Sequence, residues 1–139
     1  FVAEMAIALE YDVMLCDPRP NYLDNWTVPG VETTAQLPDD VVRERFSNPY
    51  SGIIALAHDP RVDDMALMEA LKTNAFYIGA MGSVRTSAAR RERLPELGLS
   101  SDEIDRLHAP IGFQINSKTP AEIAISVMAQ ITSVRYQQQ

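Results

Sequence analysis

The sequence contains the stretch Ala75-Phe76-Tyr77-Ile78-Gly79-Ala80-Met81-Gly82-Ser83, in which a short apolar run passes directly into a glycine-rich turn. Two other stretches have the same form: Val13-Met14-Leu15-Cys16 precedes Asp17-Pro18-Arg19, and Ile53-Ile54-Ala55-Leu56-Ala57 precedes His58-Asp59-Pro60. Apolar runs of about five residues are typical of strands buried on both faces, as in parallel sheets covered by helices. Ligands of such sheets bind beyond the carboxyl ends of the strands. The pattern therefore predicts a fold and also the position of a site.

Helical patterns separate the predicted strands. We expect helices over about 2–9, 38–46, 63–72, 83–97 and 100–107, and a long one that begins at Thr119-Pro120-Ala121-Glu122. Shorter strands are predicted near Val31–Thr34 and Ile111–Ile115. Strands that alternate with helices predict an α/β fold with an open, mostly parallel sheet and helices on both faces.

The first helical pattern has no strand before it. Val2, Met5, Ala6 and Leu9 form its apolar face, no capping residue precedes it, and a strand follows it at once. Such a helix normally connects two parallel strands. We therefore expect the first strand of the sheet, with the turn after it, to lie upstream of residue 1. Residues 1–139 are interpreted as a single domain, a fragment of a longer protein.

Composition excludes several classes of protein. The 139-residue chain has a formal net charge of −7, which argues against a general nucleic-acid or anionic-membrane surface. No apolar stretch approaches the roughly 20 residues that span a bilayer. Cys16 is the single cysteine, so no internal disulfide forms, in keeping with a reducing, cytoplasmic location. We interpret Cys16 as a small buried side chain rather than a reactive or metal-binding thiol.

Asp17 and Arg19 follow the first predicted strand. If a glycine-rich phosphate turn preceded residue 1, Asp17 would follow it by about 20 residues, where an acidic side chain accepts hydrogen bonds from a ribose hydroxyl. Arg19 is placed to meet a phosphate. The alternative for Asp17 is an Asx turn that begins a loop, since Asp-Pro is a common turn pair.

His58 and Asp59 follow the second of these strands, and further carboxylates lie close by at Asp63 and Asp64. Histidine is the side chain most often used for general acid–base work, and contact of His58 or Asp59 with a ligand is one interpretation. The other is structural: Asp59-Pro60 makes a turn, and Asp63 or Asp64 caps a helix. A metal site is disfavoured because no further oxygen ligands converge there.

The third strand end indicates an anion site. Gly79 and Gly82 let a backbone approach a ligand closely, while Ser83 and Arg85 lie at a helix N-terminus that offers free N–H groups to a phosphate. Arg90, Arg91 and Arg93 are interpreted as a solvated helix face. Lys118, beside the N-terminus of the last helix, is either a further anion contact or an ordinary exposed lysine.

These segments together resemble the XdhC/CoxI family, the xanthine dehydrogenase accessory factors, in their C-terminal Rossmann-like domain. The matching stretches follow one another in the family's order over nearly the whole chain: 16–19, 58–60 with 63–64, 77–86, 89–94, 108–112 and 119–124.

The resemblance implies a cofactor-binding maturation factor for a molybdenum hydroxylase, without catalytic residues of its own. Its cofactor would be the molybdenum cofactor, a pterin with a phosphate or dinucleotide tail. Its partners would be the apo molybdenum hydroxylase and a sulfurating enzyme, and self-association is left open. The implied cofactor-binding residues are Asp17, Arg19, His58, Asp59, Gly79, Gly82, Ser83, Arg85 and Lys118. The alternative is an NAD(P)-dependent oxidoreductase, which a Rossmann-like layout alone suggests.

Overall fold

The computed structural model describes residues 1–137. In this part of the chain there are five strands, which alternate with helices except between the first two strands. The strands are β1 (Val13–Cys16), β2 (Val31–Thr34), β3 (Gly52–Ala55), β4 (Tyr77–Ala80) and β5 (Leu107–His108). The helices are α1 (Val2–Ala8), α2 (Pro38–Arg45), α3 (Pro60–Ala70), α4 (Val84–Arg93), α5 (Ser101–Asp105) and α6 (Pro120–Gln137), with a 3-10 turn at Leu94–Leu97.

Every strand pairing is parallel, and the described strands form two open sheets. β1 pairs with β2 in one sheet, and the other has the order β3-β4-β5. In the second sheet Ile53 lies opposite Ile78, and Ile78 opposite Leu107. The predicted α/β class with a parallel sheet is confirmed.

β4 is covered by helices on both faces, which explains its continuous apolar sequence. Ile78 on one face packs in a cluster with Leu67, Leu71 and Leu94. Tyr77 on the other face packs with side chains of α6 and α1: Val127, Met128, Ile131, Val2 and Met5. All four residues of β4 are buried as a result. No helix within residues 1–137 is both long enough and apolar enough to cross a membrane.

The prediction of a strand at Ile111–Ile115 is wrong, because the short β5 ends before it, at His108. Pro110 has no N–H to donate to a ladder, and Gly112 has φ +93°, outside the β region. This segment is tied down by single bonds instead. Ile111 donates its N–H to the Ala80 carbonyl (3.0 Å), and Gly112 donates to Gln130 Oε1 (2.9 Å).

Helix α3 begins at Pro60, earlier than the predicted start at Asp63 or Asp64. The cap is Asp59, whose side chain accepts the N–H of Arg61, and Pro60 takes the first helical position. Asp63 and Asp64 therefore lie inside the helix, and their side chains can make contacts other than helix capping. The predicted helix over 83–97 is also shorter, since α4 gives way to the 3-10 turn that contains Pro95.

Other local signals are confirmed at the residue level. Ser100 and Glu103 form both bonds of a capping box, and Gly98 ends the preceding turn with φ +88°. At the start of α6, Glu122 donates its N–H to Thr119 Oγ1, while its carboxylate accepts the N–H groups of Lys118 and Thr119. These helix caps could be predicted from the sequence because each involves residues at most four positions apart.

Alanine substitutions at Gly112 and Gly98 test how closely α6 packs against the loop after β5. A Cβ on Gly112 would lie 2.5 Å from Ser126 Oγ and 3.2 Å from the Val127 nitrogen, whereas a Cβ on Gly98 meets open space. Both residues have positive φ, so the two alanine variants share the backbone penalty. We expect Gly98→Ala to lower the free energy of unfolding by about 1 kcal/mol and Gly112→Ala to lower it by about 3 kcal/mol. Urea denaturation measures both, and equal losses would contradict the packing role of Gly112.

Candidate functional site

The polar strand ends meet at one edge of the fold because all the strands are parallel. β1 leads into Asp17, β3 into His58 and Asp59, and β4 into Gly82 and Ser83. Carboxyl ends of parallel strands are where such folds bind ligands. This edge is therefore the candidate site.

Asp17 and Arg19 form a two-bond ion pair at the end of β1. Arg19 Nε donates to Asp17 Oδ1 at 3.0 Å and Nη2 donates to Oδ2 at 2.8 Å, while the Arg19 main-chain N–H also reaches Oδ1 at 3.0 Å. The Arg19 bonds hold the pKa of Asp17 below its usual value. Asp17 is therefore a charged acceptor whose charge is balanced within its own loop.

Arg19 also connects β1 to β3. Its Nη1 lies 3.9 Å from Asp59 Oδ2, and its guanidinium lies 3.6 Å from the centre of the Tyr22 ring. The structure thus brings together three predicted site residues: Asp17, Arg19 and Asp59. Tyr22 was not predicted from the sequence, because its position three residues after Arg19 in a loop gives no recognisable pattern.

Asp63 shapes the loop that carries His58. Its buried carboxylate accepts the N–H of Ala57 and the N–H of His58, both at 3.1 Å. His58 has φ +59°, and its side chain is exposed. Burial of the Asp63 carboxyl raises its pKa, against the lowering effect of these bonds and of nearby Arg90. Asp63 acts on the site through the main chain rather than by contact with a ligand.

Arg90 links this loop to the end of β4. Its Nη2 lies 3.8 Å from Asp63 Oδ2, its Nε lies 3.6 Å from Asp64 Oδ1, and its Nη1 donates to the Met81 carbonyl at 3.3 Å. The Asp63–Arg90 pair therefore holds the ends of β3 and β4 in one arrangement.

The interpretation of Arg90, Arg91 and Arg93 as a solvated face is wrong. Arg90 is buried, and Arg91 donates to the carbonyls of Ile104 (3.2 Å) and Leu107 (2.9 Å). Arg93 Nε donates to Asp64 at 3.0 Å. Arginines near a sheet satisfy carbonyls and carboxylates of other elements, and a helix sequence by itself does not show those partners.

The N-terminus of α4 presents unpaired donors. Ser83 caps the helix by accepting the N–H of Thr86 (3.1 Å), so the N–H groups of Val84 and Arg85 in the first turn have no intrahelical acceptor. A Cβ on Gly82 would lie 2.6 Å from Thr86 Oγ1 and 3.6 Å from Ser87 Oγ. Gly82 therefore has no side chain because the Thr86 hydroxyl packs against its main chain.

Two buried polar atoms beside this corner lack hydrogen-bond partners within the described part of the chain: Ser87 Oγ and Arg90 Nε. Ser87 is only 2% exposed. Arg90 Nε still faces the Asp64 carboxylate at 3.6 Å, so Ser87 Oγ is the clearer exception to the rule that buried polar groups are hydrogen-bonded. The Arg85 side chain is exposed on the same turn.

Two residues predicted to bind the cofactor, Gly79 and Lys118, have other roles in the structure. Gly79 lies inside β4, where an added Cβ would come within 2.7 Å of Ile111, so the close approach that it allows is that of a core side chain. Lys118 is exposed, with its main chain bonded to Glu122 at the start of α6. Within residues 1–137, no group of three or more His, Cys, Asp or Glu side chains is arranged to hold a metal ion.

A cavity of about 1260 Å³ lies between β1 and β3. Both strands form its walls, and Asp17, Arg19 and Met81 line its carboxyl end. The order of the strands reverses across this gap, since β2 lies outward from β1 on one side and β4 outward from β3 on the other. Such a reversal is the usual position of a ligand crevice in open α/β sheets.

Asp63 and Asp17 predict opposite pH dependences of stability. Because the pKa of Asp63 is raised in the folded chain, the native free energy of unfolding should fall, relative to Asp63→Asn, as the pH rises from about 4. Because the pKa of Asp17 is lowered, the native value should fall, relative to Asp17→Asn, as the pH drops below about 4. Urea unfolding between about pH 2.5 and 7 measures both differences. Slopes of the same sign would contradict the two assignments.

The chain matches the family model described as the XdhC Rossmann domain over residues 1–131. It is 36% identical over 137 residues to the molybdenum cofactor insertion chaperone PaoD of Escherichia coli (strain K12), covering 99% of this chain and 37% of that protein. It is 26% identical over 135 residues to a probable xanthine dehydrogenase subunit of Bacillus subtilis (strain 168), covering 96% of this chain and 39% of that protein.

A solved structure agrees with these matches. The crystal structure of a xanthine dehydrogenase from Bacillus halodurans superposes with a TM-score of 0.79 at 26% identity, over 99% of this chain and 39% of that one. The chain thus spans less than two fifths of the length of PaoD, and its fold and sequence agree on one assignment. The chain belongs to the XdhC Rossmann-domain family.

Proposed function

We propose that this domain binds the molybdenum cofactor at the carboxyl ends of β1, β3 and β4, as part of an accessory protein that delivers the cofactor to a molybdenum hydroxylase. The observation that carries the proposal is that Asp17, Arg19 and Asp59 meet at the carboxyl ends of β1 and β3, where Arg19 pairs with Asp17 at 2.8 Å and lies 3.9 Å from Asp59. The proposal takes its cofactor from PaoD, the relative named as a molybdenum cofactor insertion chaperone.

The anionic tail of the cofactor would lie at the N-terminus of α4. The free N–H groups of Val84 and Arg85, the positive end of the helix dipole and the Arg85 guanidinium all favour a phosphate there. Ser83 adds a hydroxyl at the same turn, which in the absence of a ligand donates to Thr86 Oγ1 at 3.2 Å. These residues fit a phosphate or a dinucleotide tail.

The Asp17–Arg19–Asp59 group would meet a neutral, hydrogen-bonding part of the ligand. Arg19 is already engaged by Asp17 and lies near Asp59, so its charge is largely balanced. Carboxylate oxygens keep lone pairs beyond those used by Arg19. They suit the N–H groups of a pterin or the hydroxyls of a ribose. His58 and Lys118 remain proposed outer contacts at the same edge of the fold.

The partners of the whole protein would be an apo molybdenum hydroxylase and a sulfurating enzyme. The bound cofactor supplies the molybdenum chemistry, and this domain's residues would only hold and orient it. A holding role agrees with the residues at the site. They are hydrogen-bond donors that can bind an anion and carboxylates whose charge is balanced, rather than a paired general acid and base.

The test is ligand retention by the full-length protein. We expect the purified protein to retain molybdenum and a phosphate-bearing pterin, measured by metal analysis and by fluorescence of the oxidised pterin. Arg85→Ala should weaken binding about tenfold, since one charge-assisted hydrogen bond contributes roughly 1.5 kcal/mol. Because the Arg85 side chain is exposed, its truncation should leave the fold intact.

Arg45→Ala is the matched control. Arg45 is an exposed arginine at the end of α2, paired with Glu32 at 2.7 Å, and its variant should bind like the native protein. Equal loss in both variants, or no loss in Arg85→Ala, would show that the phosphate is not at α4. Retention of NADP with hydride transfer to a carbonyl substrate would overturn the cofactor assignment in favour of an oxidoreductase.

A further inference from the structure

We propose that Tyr22 and Arg61 bind a planar heteroaromatic ring at the carboxyl ends of β1 and β3. Tyr22 stacks on one face of the ring, and Arg61 donates a hydrogen bond to an oxygen at the edge of the ring. The identity of the ring rests on the function proposed above, which makes it the pterin of the molybdenum cofactor. Neither residue was predicted from the sequence patterns as part of the site.

The same tripeptide lies in the connection after β1 and in the connection after β3, and it folds in the same way in both. Asp17-Pro18-Arg19 follows β1, and Asp59-Pro60-Arg61 follows β3. In each copy the arginine main-chain N–H and Nε donate to the aspartate Oδ1 at 3.0 or 3.1 Å, and Nη2 donates to Oδ2 at 2.8 or 2.9 Å. The two parallel bonds from each side chain fix the plane of its guanidinium.

Tyr22 interacts with both of these arginines. Its ring centre lies 3.6 Å from the guanidinium carbon of Arg19, which is an attractive cation–π distance. The hydrogen bonds and the charge of Asp59 raise the pKa of Arg61, and the nearby Tyr22 raises it as well. The Tyr22 ring therefore lies where the connections after β1 and β3 approach one another.

One face of the Tyr22 ring is covered, and the rest of the ring is open. The Arg19 guanidinium covers the first face, yet Tyr22 is still 61% exposed. The exposed area therefore belongs mainly to the opposite face and to the ring edge. A tyrosine already held by a fixed guanidinium offers a flat surface at low entropic cost. Aromatic side chains presented in this way stack on the π faces of nucleobases and similar rings.

Arg61 supplies the polar contact beside that open face. Its side chain is 88% exposed, whereas that of Arg19 is 19% exposed. Asp59 engages its Nε and Nη2, and its Nη1 has no acceptor within residues 1–137. A pterin has a ring carbonyl oxygen beside a ring N–H group. Arg61 Nη1 can donate to the carbonyl, while the Asp59 carboxylate accepts from the N–H group.

Binding of an oxidised, fluorescent pterin phosphate by the full-length protein tests these contacts. We expect Tyr22→Leu to weaken binding at least about tenfold, the loss typical of removing an aromatic side chain from a stacked ring. Tyr22→Phe should bind within about twofold of the native protein, because it keeps the aromatic face. Arg61→Ala should bind about fivefold more weakly, since one hydrogen bond from an exposed side chain is lost.

Tyr136→Leu is the matched control. Tyr136 is 57% exposed, and its ring centre lies 5.5 Å from the Arg135 guanidinium. Arg135 also lies over Tyr11, which precedes β1, so this pair is at the amino-terminal edge of the strands. Tyr136→Leu should therefore bind the pterin phosphate like the native protein. An equal loss in Tyr136→Leu and Tyr22→Leu would overturn the assignment to Tyr22.

The outcomes separate the stacking contact from the proposed function. If the native protein binds the pterin phosphate and Tyr22→Leu binds it equally well, or if Tyr22→Phe loses as much as Tyr22→Leu, the stacking contact is overturned and the proposed function stands. NADP is measured on the same variants. Binding of NADP and not of the pterin phosphate overturns the proposed function, whereas a loss of NADP binding in Tyr22→Leu alone retains Tyr22 as the surface for a different ring. A native protein that binds neither compound overturns both proposals.

Discussion

Burial of β4 on both faces is the constraint on which the other elements depend. Tyr77 on one face requires α6, while Ile78 on the other requires the cluster built from α3 and the turn after α4. Once these helices are in place, the crossovers bring every strand end to the same edge of the fold. Even Gly79 serves this packing, since its missing side chain leaves room for Ile111. The candidate site is thus a consequence of how the sheet is covered.

Sequence patterns predicted the elements whose causes are local. The apolar runs located β1, β3 and β4, and the capping residues located α4 and α6, because each signal involves neighbours within one or two turns. The failures have long-range causes. The segment from Ile111 is apolar like a strand, yet it is fixed by Gln130, eighteen residues away from Gly112. Arg90 looks like a surface residue of its own helix, and only the position of Met81 and Asp63 makes it a buried one.

The site was predictable as a location and less so as a set of contacts. Asp17, Arg19 and Asp59 do meet, because strand ends of a parallel sheet share an edge. The ion pair between Asp17 and Arg19 could not be predicted from the sequence. Because the two charges balance each other, neither residue is left with a free charge. Arg85 has no ion pair within residues 1–137, and it is therefore the arginine at this edge that is most available to an anionic ligand. The chain as a whole has a net charge of −7, so a positive charge without an ion pair at this edge supports an anionic ligand there.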